Sequence, residues 1–198
     1  MASHYFDEQP GTEDRRREID VRLAGRALRV ITSSGTFSPD RLDKATEVLL
    51  SEAPLPNTAG TYLDLGCGWG PIALSLALTA PGSTVWAVDV NERARELASL
   101  NSQRHRAGVR VVAPTDVPGE VEFDEIWSNP PVRIGKDALH VLLAMWMPRL
   151  KREGCAYIVI GKNLGSDPLQ RWLTDSGWPA ERIASSSGFR VLQVRARG

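Results

Sequence analysis

Short apolar runs alternate with amphipathic segments over most of the chain. Residues 62–65, 84–88 and 123–127 are strand-like segments, and each precedes a longer segment with apolar residues at helical spacing. The third of these longer segments, residues 137–150, is strongly apolar. Alternating strands and helices predict an α/β fold with a doubly wound, mostly parallel sheet.

Two hairpins are predicted, one near each end of the chain. Residues 19–31 show alternating apolar positions on both sides of a turn at Gly25, and residues 181–197 show the same pattern around Gly188. We therefore expect a small N-terminal hairpin and a C-terminal hairpin that adds an antiparallel strand to the sheet.

A helix is predicted between the first hairpin and the first apolar run. Ser38 is a typical N-cap residue and Pro39 suits the first helical position. We expect residues 1–56 to form an extension of hairpin and helix packed on the core, and residues 57–198 to form the main domain.

The charge of the chain is balanced overall but unevenly distributed. The 198 residues carry 24 basic and 24 acidic side chains, which argues against strong indiscriminate binding to nucleic acid. The last third, residues 133–198, holds eleven basic and five acidic residues. This excess is either a solvated surface or a contact for an anionic partner, and the sequence leaves both open.

The remaining composition is that of an ordinary globular protein. Hydrophobic residues make up 42% and charged residues 24%, and the length suits one domain. Cys67 and Cys155 indicate neither a disulfide framework nor a metal site. Because no apolar segment has the length of a membrane span or the form of a signal peptide, we expect a cytoplasmic protein with no membrane partner.

The segment from Asp64 to Gly70 is typical of a turn that binds a ligand. Gly66, Gly68 and Gly70 alternate with other residues, and glycine, which has no Cβ, lets a backbone approach a ligand closely. This spacing differs from the Gly-x-Gly-x-x-Gly of dinucleotide loops, and Asp64 would repel a pyrophosphate. A carboxylate at this position suits a cationic amino-acid group instead.

A second acidic residue narrows the choice of ligand. Asp89 follows the run 84–88, where nucleotide-binding βαβ units place a carboxylate that binds ribose hydroxyls. A ribose without a diphosphate, beside a cationic amino-acid group, fits S-adenosylmethionine. The alternative is a turn that joins strand and helix and binds nothing. The motif resembles that of class I S-adenosylmethionine-dependent methyltransferases, which implies a Rossmann-like sheet of seven strands.

The tetrapeptide 128–131, Ser-Asn-Pro-Pro, follows the run 123–127 and is expected at the same edge of the sheet as the glycines. By itself Asn-Pro-Pro is a strong turn signal. In a methyltransferase, the Asn129 side-chain carbonyl and the Pro130 backbone carbonyl could each accept an N–H of an exocyclic amine. The prolines would hold both acceptors in extended conformations. Asn129 and Pro130 are therefore the candidate catalytic residues.

Five short segments carry a narrower resemblance: residues 4–6, 35–38, 42–43, 129–136 and 188–192. Together they are similar to the methyltransferase-small, or RsmC-like, family, which is known for guanine-N2 methylation of 16S ribosomal RNA. The resemblance runs over almost the whole chain and is to the short, single-domain members.

The resemblance implies S-adenosylmethionine as cofactor and RNA, from the 16S rRNA or the small ribosomal subunit, as partner. We expect no metal, and a monomer or a homodimer. The cofactor-binding residues would be Asp64, Gly66, Cys67, Gly68, Asp89, Val90, Asp116 and Asn129.

One position departs from the pattern of amine methyltransferases. Many of them have Phe or Tyr after the two prolines to stack on a flipped base, whereas this chain has Val132. Since stacking on a base contributes about 1–3 kcal/mol, another ring should supply it. Phe37 is the first candidate, followed by Trp69 and Phe189, although packing in the core explains Phe37 at least as well.

The residues next to the reaction centre complete the expected substrate site. Pro131 and Val132 would contact the base, and Arg133 and Lys136 could bind RNA phosphates. Solvated charges at a helix end are the alternative for these two cations.

Two other functions stay open from the sequence. One is methylation of another exocyclic amine, either adenine in nucleic acid or a protein glutamine, and Val132 counts mildly against glutamine. The other is a ribosome assembly factor that binds the cofactor without catalysis, and Asn129 argues against it because binding alone would not need that amide.

Overall fold

The computed structural model describes residues 13–34, 38–131 and 135–197. Its strands and helices alternate after an N-terminal hairpin. The strands are β1 (Arg16–Leu23), β2 (Arg26–Ser33), β3 (Thr61–Leu65), β4 (Thr84–Val88), β5 (Arg110–Val112), β6 (Phe123–Ser128), β7 (Leu150–Gly161), β8 (Ala180–Ser186) and β9 (Phe189–Arg195). The helices are α1 (Lys44–Glu52), α2 (Pro71–Thr79), α3 (Glu92–Arg104), α4 (Lys136–Trp146) and α5 (Ser166–Asp175).

Seven of the strands form one sheet in the order β5-β4-β3-β6-β7-β9-β8. The first five are parallel, while β9 pairs antiparallel with both β7 and β8. This confirms the predicted doubly wound, mostly parallel sheet with a C-terminal antiparallel hairpin. The carboxyl ends of β5, β4, β3, β6 and β7 therefore lie along one edge, where such folds bind their ligands.

The core lies on both faces of this sheet, because parallel strands are buried on both sides. Leu63 and Leu65 of β3 point into a cluster that Leu143 of α4 and Leu169 of α5 complete. Tyr62, on the same strand, points into the opposite cluster, which helices α1, α2 and α3 cover. The alternation along β3 thus fixes which helices lie on which face.

The predicted N-terminal hairpin is confirmed as β1 and β2, which pair antiparallel as a separate two-stranded sheet. It packs on α3, where the buried Asn101 accepts the N–H of Ile31 at 2.7 Å and donates to the Ile31 carbonyl at 2.9 Å. Val30 and Leu23 join Leu97 of α3 in a third apolar cluster. A domain boundary at residue 57 stays a prediction.

Two helix boundaries differ from those predicted. The first helix begins at Lys44, not near Ser38, because Asp43 accepts the N–H of Thr46 and caps the helix, whereas Ser38 has the left-handed φ of 51°. Helix α4 ends at Trp146 and not at residue 150, because Pro148 follows in a 3-10 turn and has no N–H to continue the helix.

Candidate active site

Four adjacent strand ends bring the predicted site residues to one edge of the sheet. Asp116 follows β5, Asp89 follows β4, and the glycine turn follows β3. Asn129 follows β6, whose last residue, Ser128, donates to the Leu65 carbonyl at 2.8 Å. This hydrogen bond joins the ends of β3 and β6, so the glycine turn and Asn129 are neighbours.

The glycine turn has a backbone that favours glycine. Gly66 has a φ of 80° and Gly68 a φ of 55°, a region that other residues rarely adopt. The N–H groups of Gly66 and Cys67 both donate to the carbonyl of Val88, at 2.9 and 3.0 Å. A Cβ added at Gly66 or Gly68 would meet no atom within 4 Å, so open space lies above the turn.

Asp64 is fully buried at the end of β3, directly below this turn. Its Oδ2 accepts the N–H of Ala73 on α2 at 2.9 Å, and its Oδ1 has no hydrogen-bond partner among the described residues. Burial raises the pKa of Asp64 to about 8, the Ala73 N–H lowers it, and the charge of Asp89 raises it further. A buried carboxyl oxygen without a partner is costly, and a cationic ligand would remove that cost.

Asp89 holds the glycine turn in place. Its Oδ2 accepts the N–H of Gly68 and its Oδ1 accepts the N–H of Asn91, both at 2.9 Å. Burial raises the pKa of Asp89, while these donors and Arg95 lower it. Since each carboxylate oxygen can accept two hydrogen bonds, Asp89 keeps the capacity to accept from a ribose hydroxyl.

Three further predicted cofactor residues lie around the turn. The Cys67 thiol is buried, which raises its pKa well above the ordinary value and suits an unreactive side chain. Val90 uses its carbonyl to accept from Arg95 at 2.8 Å. Asp116 is exposed at the end of a 3-10 turn, Pro114–Asp116, beside the edge strand. Their contacts with a cofactor stay predictions.

Asn129 is bonded to a helix that is distant in sequence. Its Nδ2 donates to Asp43 Oδ2 at 2.8 Å and to Thr46 Oγ1 at 3.0 Å, both at the start of α1. The next residue, Pro130, is buried. The sequence signal for Asp43 was only its place in the family resemblance, and Thr46 gave no signal, because both reach Asn129 through tertiary packing.

These residues line one crevice. Its walls are the glycine turn on one side and Asn129 with the start of α1 on the other, and the lining residues are Asp43, Thr46, Gly66, Cys67, Gly68, Trp69, Pro71, Ile72 and Asn129. The crevice therefore brings Gly66, Cys67 and Gly68 together with Asn129, as expected from the strand order. The other predicted residues, Asp64, Asp89, Val90, Asp116 and Pro130, lie outside its lining.

The predicted substrate residues are only partly described. Pro131 is half-buried, and Lys136 is exposed at the first turn of α4, where it lines a second cavity of about 220 Å³ with Leu139 and His140. The predictions for Phe37, Val132 and Arg133 lie outside the described residues.

The other two stacking candidates have different surroundings. Trp69 is 2% exposed and packs with Leu74 and Leu97 in the cluster below the N-terminal hairpin, so its ring belongs to the core. Phe189 is half-buried at the start of β9, where it pairs with Gly161.

Potential metal-binding side chains form no cluster in the part of the chain that the structure describes. Across residues 13–34, 38–131 and 135–197, no group of three or more His, Cys, Asp or Glu side chains could hold a metal ion. In the same ranges no helix is both long and apolar enough to cross a bilayer. Cys67 and Cys155 are free thiols.

The geometry fits S-adenosylmethionine. The unpartnered Oδ1 of Asp64 suits the cationic amino-acid end, the open backbone at Gly66 and Gly68 leaves room for the ligand, and Asp89 has lone pairs for a ribose. The fold and this site together define a class I methyltransferase.

The chain belongs to the methyltransferase small domain family, whose model matches residues 27–193. S-adenosylmethionine is the cofactor of that family. The family resemblance drawn from the sequence is thereby confirmed.

Relatives of two kinds are found. The chain is 33% identical to the protein YbxB of Bacillus subtilis (strain 168), over 98% of this chain and 99% of that one. It is 30% identical to the Ribosomal RNA small subunit methyltransferase C of Ectopseudomonas mendocina (strain ymp), over 98% of this chain but 60% of that one. The chain thus spans little more than half of the latter relative.

A solved structure shows the same fold. The 16S rRNA N2 methyltransferase RsmC of T. thermophilus, in complex with AdoMet and guanosine, superposes with a TM-score of 0.81 at 22% identity. The match covers 92% of this chain and 51% of that one.

Proposed function

We propose that this protein transfers a methyl group from S-adenosylmethionine to the exocyclic N2 amine of a guanine in 16S ribosomal RNA. The observation that carries the proposal is the single crevice lined by both Gly66–Gly68 and Asn129. A cofactor-binding turn and an amide suited to an amine substrate then face the same space.

The crevice provides what an exocyclic amine requires. The lone pair of the guanine amine is delocalised into the ring, so the amine is a poor nucleophile. Asn129 Oδ1 and the Pro130 carbonyl would each accept one N–H and so direct the lone pair out of the ring plane. S-adenosylmethionine supplies the methyl group, and positioning of the amine against it is the main source of rate.

The proposed RNA substrate rests on charge and on the relatives. Lys136 follows the β6 end, and Lys162 follows the end of the neighbouring strand β7; both are exposed at the edge of the sheet that carries the crevice. Cations at this edge could bind phosphates around a target nucleotide. The relatives named for small-subunit rRNA methylation, and the neighbour with bound guanosine, favour the same substrate.

The test is methyl transfer from labelled S-adenosylmethionine to 16S rRNA and to small subunits from cells that lack this protein. Nucleosides are then separated to identify the labelled base. Asn129→Ala removes the proposed acceptor, and Asn57→Ala is the matched control, because Asn57 is exposed in the loop before β3, at the opposite edge of the sheet.

We expect N2-methylguanosine with the wild type and Asn57→Ala, and none with Asn129→Ala. Label on adenine or on a protein glutamine would reject the guanine assignment. Cofactor binding without label on any RNA or protein would reject catalysis and favour a cofactor-binding assembly factor.

A further inference from the structure

The Asn129 side chain is held at its nitrogen end. Nδ2 lies 2.8 Å from Asp43 Oδ2 and 3.0 Å from Thr46 Oγ1, so each of its two hydrogens has an acceptor. Among residues 13–34, 38–131 and 135–197, no donor bonds to Asn129 Oδ1. The oxygen end is the end that remains for a ligand.

The chemistry of Asp43 decides which end of the amide faces it. A carboxylate only accepts hydrogen bonds, so the amide must present its NH₂ group to Asp43 and its oxygen elsewhere. An amide turned by 180° would place two oxygens against each other and would offer N–H donors to the incoming amine. That arrangement would repel the N–H groups of the substrate instead of accepting them.

We propose that Asp43 and Thr46 are positioning residues that fix the Asn129 amide with Oδ1 towards the substrate amine. This inference rests on the proposed function, since it assigns how the acceptor of that reaction is oriented. Asp43 and Thr46 act through Asn129 and form no bond with the substrate.

Helix α1 gives these two residues a rigid base. The same Asp43 Oδ2 that accepts from Asn129 also accepts the N–H of Thr46 at 3.0 Å, and Thr46 is 3% exposed. Val48 and Leu49 of this helix are buried in the cluster against the sheet. The position of the Asn129 amide is therefore tied to the packing of α1, and the helix cap and the amide share one oxygen.

Because one oxygen of Asp43 has both roles, substitutions can separate the helix cap from the contact with Asn129. Asp43→Ser keeps a good N-cap, but its hydroxyl is too short to reach Asn129 as well. Asp43→Asn also caps well, and its single oxygen can accept from both Thr46 and Asn129, as Oδ2 does in the wild type. Thr46→Val removes the second acceptor with little change in volume, whereas Thr46→Ser keeps it.

The first readout is steady-state methyl transfer, with S-adenosylmethionine affinity and melting temperature measured on each variant. We expect Asp43→Ser to lower kcat by about 100-fold, because misplacement of a reacting geometry by about 1 Å costs that much, while KM for RNA stays the same. Asp43→Asn should restore kcat to within about threefold of the wild type. A merely structural role would instead lower the melting temperature or affect both variants alike.

The second readout does not depend on the substrate. The chain has five asparagines, at positions 57, 91, 101, 129 and 163, so protein labelled with ¹⁵N-asparagine gives few side-chain NH₂ signals, and Asn129→Ala assigns the relevant pair. We expect slow hydrogen exchange of this pair in the wild type and Asp43→Asn, and fast exchange in Asp43→Ser.

The two readouts separate the two proposals. If the wild type methylates no guanine, the proposed function fails, and the exchange rates still decide whether Asp43 holds the amide. Full kcat in Asp43→Ser, or equal exchange rates in Asp43→Ser and the wild type, would overturn the positioning role.

Discussion

Asn101 of α3 donates through Nδ2 to the carbonyl oxygen of Trp69, in the glycine turn, at 3.0 Å. The same side chain also donates to the Ile31 carbonyl and accepts the Ile31 N–H. One buried amide thus joins the N-terminal hairpin, α3 and the turn that precedes α2. The hairpin is therefore part of the support of the site, although it lies outside the main sheet.

Replacing this amide should destabilise the protein. Asn101→Leu leaves the Ile31 N–H and the carbonyls of Ile31 and Trp69 without their partner, and each unsatisfied buried group costs about 1–3 kcal/mol. We expect the free energy of unfolding in urea to fall by a few kcal/mol. Gln103→Ala, at an exposed position on the same helix, is the control and should change it by less than about 0.5 kcal/mol. Equal values for both variants would contradict the role of Asn101.

Cofactor affinity should rise with pH between about 6 and 7.5. The pKa of Asp64 is about 8 in the free protein, so its carboxyl is mostly protonated below that pH, and a cationic ligand binds the carboxylate form. The affinity should increase by up to about tenfold per pH unit, and binding should release a proton. Calorimetry at pH 7 in two buffers of different ionisation enthalpy measures that proton.

The neighbours of Asp64 do not remove this dependence. Asp89 raises the pKa of Asp64 through its charge, and Arg95 faces Asp89. The Asp64→Asn variant keeps both neighbours and loses the titrating group. It should bind S-adenosylmethionine more weakly, and its affinity should lack the rise between about pH 6 and 7.5 that we expect for the wild type. Binding without proton release in the wild type would show that Asp64 does not change its protonation state when the cofactor binds, and would contradict this prediction.

The same carboxyl should make the free protein less stable as pH rises. Its folded pKa, about 8, lies above its unfolded value, 3.8, so the folded state holds more protons between these two pH values. The Asp64 contribution to the free energy of unfolding therefore falls from about pH 4 to pH 8. Asp64→Asn removes this loss and should be the more stable protein at pH 8 by a few kcal/mol, because a tenfold change in a proton-binding constant corresponds to about 1.4 kcal/mol.

Urea unfolding of both proteins at pH 5 and pH 8 checks this prediction. Other titrating groups act in both proteins and cancel in the difference, so the advantage of Asp64→Asn should grow with pH. Parallel pH profiles for the two proteins would mean that Asp64 ionises normally in the folded state. The gain in stability accompanies weaker cofactor binding, as expected where a buried charge serves a ligand.

Local sequence patterns were sufficient for the sheet and for the glycine turn. The strand-like segments that form β3, β4 and β6 alternate with helical segments, and this order alone places their carboxyl ends at one edge. The first helix start was wrong because Ser38 and Asp43 are both capping residues, and only Asp43 has the extended backbone that a cap requires.

The contacts between segments distant in sequence could not be predicted from these local patterns. Asp43 and Asn129 are 86 positions apart, and no local periodicity indicates that the start of α1 meets the end of β6. The pKa of Asp64 likewise depends on burial by segments that are remote in sequence. The sequence could place the candidate residues at one edge of the sheet, but it could not identify the partner that orients each of them.

Gly66→Ala and its matched control, Gly25→Ala, should lose similar stability, but only Gly66→Ala should lose cofactor binding. Gly66 has a φ of 80° and Gly25, in the β1–β2 turn, a φ of 74°, and a Cβ meets no atom within 4 Å at either position. Both variants should therefore lose about 1–2 kcal/mol of unfolding free energy from backbone strain alone. Only at Gly66 does the new methyl group enter the space above the turn, where we expect the cofactor. Calorimetry should show S-adenosylmethionine binding lost in Gly66→Ala and unchanged in Gly25→Ala, and unchanged binding in both would place the cofactor elsewhere.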